Sequence, residues 1–184
     1  MSIEVEIKLK INNKKRIEEI LAETGFPKGK LVTESDTYYM AEHHDFAALD
    51  EALRVRCVED RLTGERSAAI TYKGAKLDHI SMTRQELETS VGDGEICREI
   101  LERIGFRPVP VVKKLRQYYH RDNITACVDV VTNLGDYLEL EMIVDTEKKR
   151  EEALGQLEKI LHSLGYSMQD TTRTSYLSML LKKK

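Results

Sequence analysis

Charged side chains recur at every second position of one short apolar run after another in this chain. In Ile3-Glu4-Val5-Glu6-Ile7-Lys8-Leu9-Lys10-Ile11 the aliphatic residues alternate with Glu4, Glu6, Lys8 and Lys10. Successive side chains of a β-strand point to opposite faces, so these four charges share one face. Arg54 and Arg56 alternate with Leu53, Val55 and Cys57, and Lys73 lies opposite Ile70 and Tyr72. Arg84, Glu86 and Glu88 share a face, as do Lys114 and Arg116; Asp129 sits between Val128 and Val130, and Glu139 and Glu141 flank Leu140. Arginine binds phosphate oxygens bidentately and lysine binds them as a point charge. Carboxylates repel a phosphate chain, so acids clustered among such cations imply a hard divalent ion, Mg²⁺ or Mn²⁺, between them and the phosphate. The two sets together describe metal-assisted chemistry on a triphosphate.

Those charges need elements that point them to one place. Eight strands are expected, at about 3–11, 32–40, 52–59, 67–73, 81–89, 111–120, 124–131 and 137–144. Amphipathic helices are expected at about 13–24, 93–104 and 146–164, each stopping at Gly25, Gly105 or Gly165. A short apolar stretch, 176–181, predicts a last helical turn or two. Gly25-Phe26 precedes Tyr38-Tyr39 by the same interval that separates Gly105-Phe106 from Tyr118-Tyr119, which suggests a duplicated helix–strand unit. Three helices can cover one face of the sheet, and that face is the apolar one. An open sheet would leave the charged face in water, but wet faces usually mix Thr, Ser, Gln and Lys, whereas this one is almost wholly ionised. The expected fold is therefore α+β: a closed antiparallel eight-stranded barrel with helices outside and charges inside. Such a bore is just wide enough for a small ligand. Unpaired buried charge is costly, so the bore must be hydrated, internally paired, or filled by a charged ligand and metal.

Composition narrows the rest. The 184 residues, 33% charged and 41% hydrophobic, suit one domain spanning the chain. No apolar run approaches the roughly 20 residues of a membrane span, and the sequence runs straight into its first strand, so no membrane association is expected. The net charge of −3 provides no basic field for nucleic acid. Cys57, Cys97 and Cys127 form no CxxC pair and read as incidental thiols of a reducing cytoplasm rather than zinc ligands. His43 and His44 fall in a polar stretch expected to loop over the mouth of the bore, while His79, His120 and His162 suggest no site.

Glu4-Val5-Glu6-Ile7-Lys8 resembles the E-x-E-x-K signature of the CYTH superfamily, the triphosphate tunnel metalloenzymes. Leu53-Arg54-Val55-Arg56, Thr71-Tyr72-Lys73-Gly74, Arg84-x-Glu86-x-Glu88, Lys114-x-Arg116 with Tyr119, and the run from Asp129 through Leu134-Gly135-x-Tyr137-x-Glu139-x-Glu141 follow in the family's order. Ser175-Tyr176-Leu177 resembles its ending, so the similarity spans nearly the whole chain. Ser35-Asp36-Thr37-Tyr38-Tyr39, Asp45-Phe46 and Asp50-Glu51-Ala52-Leu53-Arg54 look most like the class IV adenylyl cyclase (CyaB-type) branch. That resemblance implies conversion of ATP to cyclic AMP and pyrophosphate, often by a homodimer; other branches hydrolyse inorganic triphosphate or thiamine triphosphate. It implies that Glu4, Glu6, Asp129, Glu139 and Glu141 hold Mg²⁺ or Mn²⁺, and that Arg54, Arg56, Lys73, Arg84, Lys114 and Arg116 grip the triphosphate. Lys8 would contact phosphate or orient Glu6, completing a catalytic set with Glu4 and Glu6. Glu86 and Glu88 would either pair with the cations or bind metal. Met82 departs from the pattern, standing where relatives often carry a lysine. A nucleotide or polyphosphate binder without catalysis is the reading of another class, and five metal-type carboxylates argue against it.

Overall fold

A computed structural model describes residues 3–183. The first alternating run forms β1 (Ile3–Lys10), followed by α1 (Lys14–Glu23), β2 (Lys28–Met40), β3 (Ala52–Asp60), β4 (Arg66–Lys76) and β5 (Arg84–Val91). The second half contains α2 (Gly94–Arg103), β6 (Arg107–Pro108), β7 (Val112–Arg121), β8 (Ile124–Val131), β9 (Gly135–Val144), α3 (Glu147–Ser163) and α4 (Tyr176–Lys182). The expected helices appear, α1 and α2 with side-chain caps and α3 without one. The Asn13 side chain accepts the Arg16 N–H, and the Asp93 side chain accepts those of Glu95 and Ile96.

The strands run in the order β3-β4-β5-β1-β9-β8-β7-β2, and β2 pairs again with β3, which closes an eight-stranded antiparallel barrel. The two-residue β6 hangs on the end of β2 at Tyr39 and Met40. The duplicated unit is visible here: α1 leads into β2 and α2 into β7, and these two strands lie side by side. The aliphatic row of β1 packs outward against Ile17 and Leu21 of α1, Phe26, and Leu157 and Leu161 of α3 in one continuous core. Each such fully buried side chain contributes about 1.5–3 kcal/mol relative to exposure. The other end of the covering layer is α2, whose Leu101 and Cys97 pack on Val55, Leu53 and Ile70. Gly94 lets α2 come this close, since a Cβ there would stand 2.7 Å from Cys57 Sγ and 2.9 Å from the Ala68 methyl.

One joint of the barrel is narrow. Among the described residues β1 and β5 share only Ile3↔Gln85 and Glu4↔Arg84, whereas β1 and β9 are paired along the whole of β1. Below those pairs the edge of β1 is met by two loops: Met82 N–H donates to Glu6 O at 2.9 Å, and Thr172 N–H to Lys8 O at 2.7 Å. Side chains tie the loops together. Arg173 donates to the carbonyls of Ser81 (3.0 Å) and Asp78 (2.6 Å), and Arg150 of α3 reaches the Asp78 carboxylate at 2.8 Å. Asp78 also accepts the N–H groups of Ile80 and Ser81, a tight turn that explains why the strand expected from 81 starts at Arg84. The strand expected from 32 starts earlier, at Lys28. The 41–51 loop, the 77–83 loop, the approach to β7 and α4 all gather at one end of the barrel, so α4 lies over a mouth while α1, α2 and α3 cover the wall. Among the described residues no helix is long and apolar enough to cross a membrane.

Candidate active site

The bore is a cavity of about 880 Å³. Glu4, Glu6, Lys8, Arg54, Arg56, Lys73, Arg84, Lys114, Arg116, Glu139 and Glu141 all line it, together with Glu86 and Glu88. Lys10 ends up exposed, beyond the mouth. Asp129 stands behind the wall, fully buried, with both oxygens taken by Arg116 (2.7 Å each) and one by the Tyr176 hydroxyl (3.1 Å). It orients Arg116 rather than facing the cavity.

The two kinds of charge occupy different sides. On β2, β3 and β7, Arg56 donates to both oxygens of Asp36 at 2.6 and 2.8 Å and lies 3.1 Å from Glu34. Lys114 lies 3.1 Å from Glu34 and 3.6 Å from Asp129, and the Tyr118 hydroxyl donates to Glu34 at 2.8 Å. Arg54 is held more loosely, 3.6 Å from Asp36 and 3.7 Å from Glu88. Burial works against ionised Asp36, but Arg56 and Arg54 outweigh it and bring its carboxyl down to about 2. Tyr176 lies beneath the two central lysines, its ring 4.5 Å from the Lys8 ammonium and 5.5 Å from that of Lys114.

On β1, β5 and β9 the carboxylates crowd one another. The ladder sets Glu6 directly across from Glu141, and Lys8 across from Glu139. Glu139 contacts Arg116 and lies 4.0 Å from Lys8. Lys73 bridges Glu86 and Glu4, the latter at 3.3 Å. Burial raises the Glu6 carboxyl above its ordinary value and Glu139 adds to the effect, while Lys8 offsets only part of it. Burial likewise pushes Glu141 well up, with Glu4 adding to it, and carries Glu86 to about 8 despite Lys73. Like charges placed opposite each other in a buried ladder are destabilising, and a cation between them removes the repulsion.

These residues fit a divalent ion. The acidic side offers carboxylate oxygens without histidine or thiolate, the donor set of a hard cation, and Glu6 faces another carboxylate instead of a lysine or arginine. Among the described residues no three such groups already cage an ion; Glu4 and Glu139 lean on Lys73 and Arg116, so ligation would exchange those ion pairs for the metal.

Several contributors escaped the sequence reading. Glu34 and Asp36 lie in Thr33-Glu34-Ser35-Asp36-Thr37, where both faces of the strand are polar and alternation offers no contrast. Lys76, Tyr118 and Arg173 also line the cavity. Arg173 comes from an irregular segment after α3 and, through its bond to Ser81, brings a cation to the stretch of wall where Met82 has none. The 41–51 loop does stand at the mouth, and Phe46 and Ala47 line the cavity there. His44 is engaged with Glu51 (2.6 Å) and Phe46, and His43 packs edge-on against Phe106.

A closed barrel with a cationic side facing a carboxylate side defines a tunnel for a metal-bound polyphosphate. The chain belongs to the CYTH domain family, whose model matches residues 2–176. It is 37% identical over 177 residues to a Methanocaldococcus jannaschii protein provisionally named an adenylate cyclase, covering 96% of this chain and 98% of that one. It is 23% identical to the Aeromonas hydrophila adenylate cyclase CyaB over 79% of this chain and 71% of that one. Among solved structures, PH1819 of Pyrococcus horikoshii superposes with a TM-score of 0.90 at 37% identity, covering 98% and 99% of the two chains. A Hippeastrum protein described by its dominant triphosphatase activity shares the fold at 18% identity, with a TM-score of 0.68 and 100% and 97% coverage. The family's tunnel enzymes are metal-dependent, and both adenylyl cyclase and triphosphatase chemistry are compatible with this one.

Proposed function

We propose that this protein is a metal-dependent adenylyl cyclase that converts ATP to cyclic AMP and pyrophosphate, with triphosphate hydrolysis as the alternative reaction of the same tunnel. The observation that carries the reading is the division of one bore into facing cationic and carboxylate sides. Arg54, Arg56, Lys73, Arg84, Lys114 and Arg116 take the phosphate oxygens, the arginines as bidentate forks. Asp36, Glu34 and Asp129 stand behind Arg56, Lys114 and Arg116 and fix their orientation before substrate arrives, so little reorganisation is left for the reaction. Lys8 stands between Glu139 and the Tyr176 ring at the boundary of the two sides; burial lowers its pKa, and Glu6 and Glu139 offset part of that. Glu4, Glu6, Glu139 and Glu141 would hold Mg²⁺ or Mn²⁺, and the ion would supply neutralisation of phosphate charge and acidification of a hydroxyl or water. In the cyclase reaction the ribose 3′-oxygen bonds to the α-phosphorus, the bond from that phosphorus to the pyrophosphate breaks, and the hydroxyl proton is released.

The mouth favours the cyclase reading. Tyr38, Met40, Phe46 and Leu177 line the end where α4 and the 41–51 loop meet, an apolar rest that an organic triphosphate uses and inorganic triphosphate does not. The test is incubation with ATP, inorganic triphosphate or thiamine triphosphate, each with Mg²⁺ or Mn²⁺, and identification of products. Cyclic AMP with pyrophosphate is expected from ATP. Orthophosphate in its place identifies a triphosphatase, and no turnover of any substrate identifies a binder.

A further inference from the structure

At the mouth two cations stand face to face. Lys76 and Arg84 are partners in the ladder between β4 and β5, just past a break in register between Lys73 and Lys76. Like charges set directly across an antiparallel pair repel each other. Both side chains line the cavity and both are largely buried, Arg84 being 6% exposed and the Lys76 side chain 13%. Among the described residues one carboxylate answers them. Asp50, at the end of the 41–51 loop, contacts the Lys76 ammonium, accepts the Lys76 N–H at 3.1 Å and lies 4.0 Å from the Arg84 guanidinium. Its carbonyl oxygen accepts an Arg84 N–H at 3.4 Å.

The three groups are unequally tied down. The cations belong to paired strands, and Arg84 also donates to the Gly74 carbonyl at 3.1 Å. The Asp50 side chain is 49% exposed, and its backbone is left-handed, with φ +54°. A residue with a Cβ is strained in that region, Asn and Asp less than most. If the contact opens, the cations stay in the wall, where a bare charge is costly, while the carboxylate passes into water. The contact therefore breaks by departure of Asp50, and another anion at the cations makes that departure favourable.

We propose that Asp50 is a resident anion standing at Lys76 and Arg84 in place of a substrate phosphate, a latch that the outer end of a polyphosphate displaces, releasing the 41–51 loop. The proposal rests on the polyphosphate reading of the tunnel. A phosphate group carries more charge than a carboxylate and has oxygens enough to engage an ammonium and a guanidinium together. A ligand shifts an equilibrium by its preference for one of the two states, and here the preferred state is the one Asp50 has left. Phe46 and Ala47 of the same loop line the cavity, so the exchange of anions also moves the apolar rest at the mouth. When the product leaves, Asp50 returns and opposes its rebinding.

Calorimetric titration with inorganic triphosphate in EDTA reads the competition. Asp50→Asn suits the left-handed backbone and removes the charge. It should bind triphosphate roughly two- to five-fold more tightly than wild type, the scale of a half-exposed ion pair. Asp50→Gly should do the same. Asp45→Asn is the control, because Asp45 caps the Ala48 N–H at 3.0 Å within the same loop; it should leave the affinity unchanged. Hydrogen exchange in 45–51 should quicken when triphosphate saturates the wild type, and should already be quick in Asp50→Asn without ligand. Triphosphate binding no tighter in both Asp50 variants, or exchange in that loop slowed by triphosphate, overturns the latch and leaves the tunnel standing. Failure of wild type and variants alike to bind triphosphate overturns the tunnel reading and the latch with it.

Discussion

Replacing Glu6 and Glu139 by glutamine, one at a time, should move stability in opposite directions although both carboxylates line the same bore. Glu6 faces Glu141 across the ladder, and its ionised form is opposed first by burial and then by Glu139 and Glu4. Removing its charge relieves that repulsion. Glu139 is the reverse case: burial opposes its charge, but Arg116, Lys114 and Lys8 hold it well below the usual carboxylate range. Glu139→Gln strands those buried cations. Breaking a buried pair costs about 3–5 kcal/mol, and the low end applies because Arg116 keeps Asp129. For a chain of this size 1 kcal/mol moves the melting temperature by about 2–4 °C. Calorimetry in EDTA at neutral pH should therefore show Glu6→Gln melting above wild type, and Glu139→Gln roughly 6–12 °C below it. Adding Mg²⁺ should raise the wild type, by about 2.7 kcal/mol at a hundred times its Kd, and should leave Glu6→Gln almost unmoved. If Glu6→Gln melts as low as Glu139→Gln in EDTA, or gains as much from Mg²⁺ as wild type, the account of the carboxylate side is wrong.

Unlike Arg56, Arg84 and Arg116, Arg54 makes no hydrogen bond to an internal partner among the described residues, so Arg54→Gln should weaken binding of inorganic triphosphate in EDTA by roughly ten- to a hundred-fold with little change in melting temperature. Calorimetric titration checks this, and wild-type affinity would remove Arg54 from the phosphate grip. The clamp at the narrow joint should be acid-sensitive. Burial opposes the Asp78 charge, but the N–H groups of Ser81 and Ile80, with Arg150, hold its carboxyl below the ordinary 3.8. A lowered folded-state value contributes stability that is present above the unfolded value and lost as pH falls through the folded one. The 77–83 loop should therefore loosen below a pH of about 4, and Asp78→Asn should reproduce this at pH 7 as faster hydrogen exchange in that loop, with Asp145→Asn as an unaffected control.

The strands of the barrel were legible because β1, β3, β7, β8 and β9 alternate aliphatic with charged residues, a contrast that fixes both the strand and its inward face. The same contrast predicts Glu6, Arg54, Arg116 and Glu139 on one inward face, and all four line the bore. It failed on β2, where Thr33, Ser35 and Thr37 are as polar as Glu34 and Asp36, so the internal partners of Arg56 and Lys114 were invisible. Asp129 fitted the pattern yet lies behind the wall, because alternation gives a side chain's face but not its depth. Arg173 and Arg150 had no periodic signal at all; their role depends on where the chain passes after α3.

The pairing of β1 with β9 makes time part of the architecture. Glu6 is made more than a hundred residues before its ladder partner Glu141. At translation rates of about 5–20 residues per second, β1 waits on the order of 10 s for its neighbour. Its other neighbour, β5, offers two paired positions among the described residues. Throughout that interval β1 is an open strand edge, the element most prone to pair with the wrong chain. The charges at every second position, which later line the bore, keep it dissolved while it waits. A nascent chain cut off before β9 has neither a closed barrel nor the facing carboxylates, so a ribosome that stops early releases no half-working tunnel.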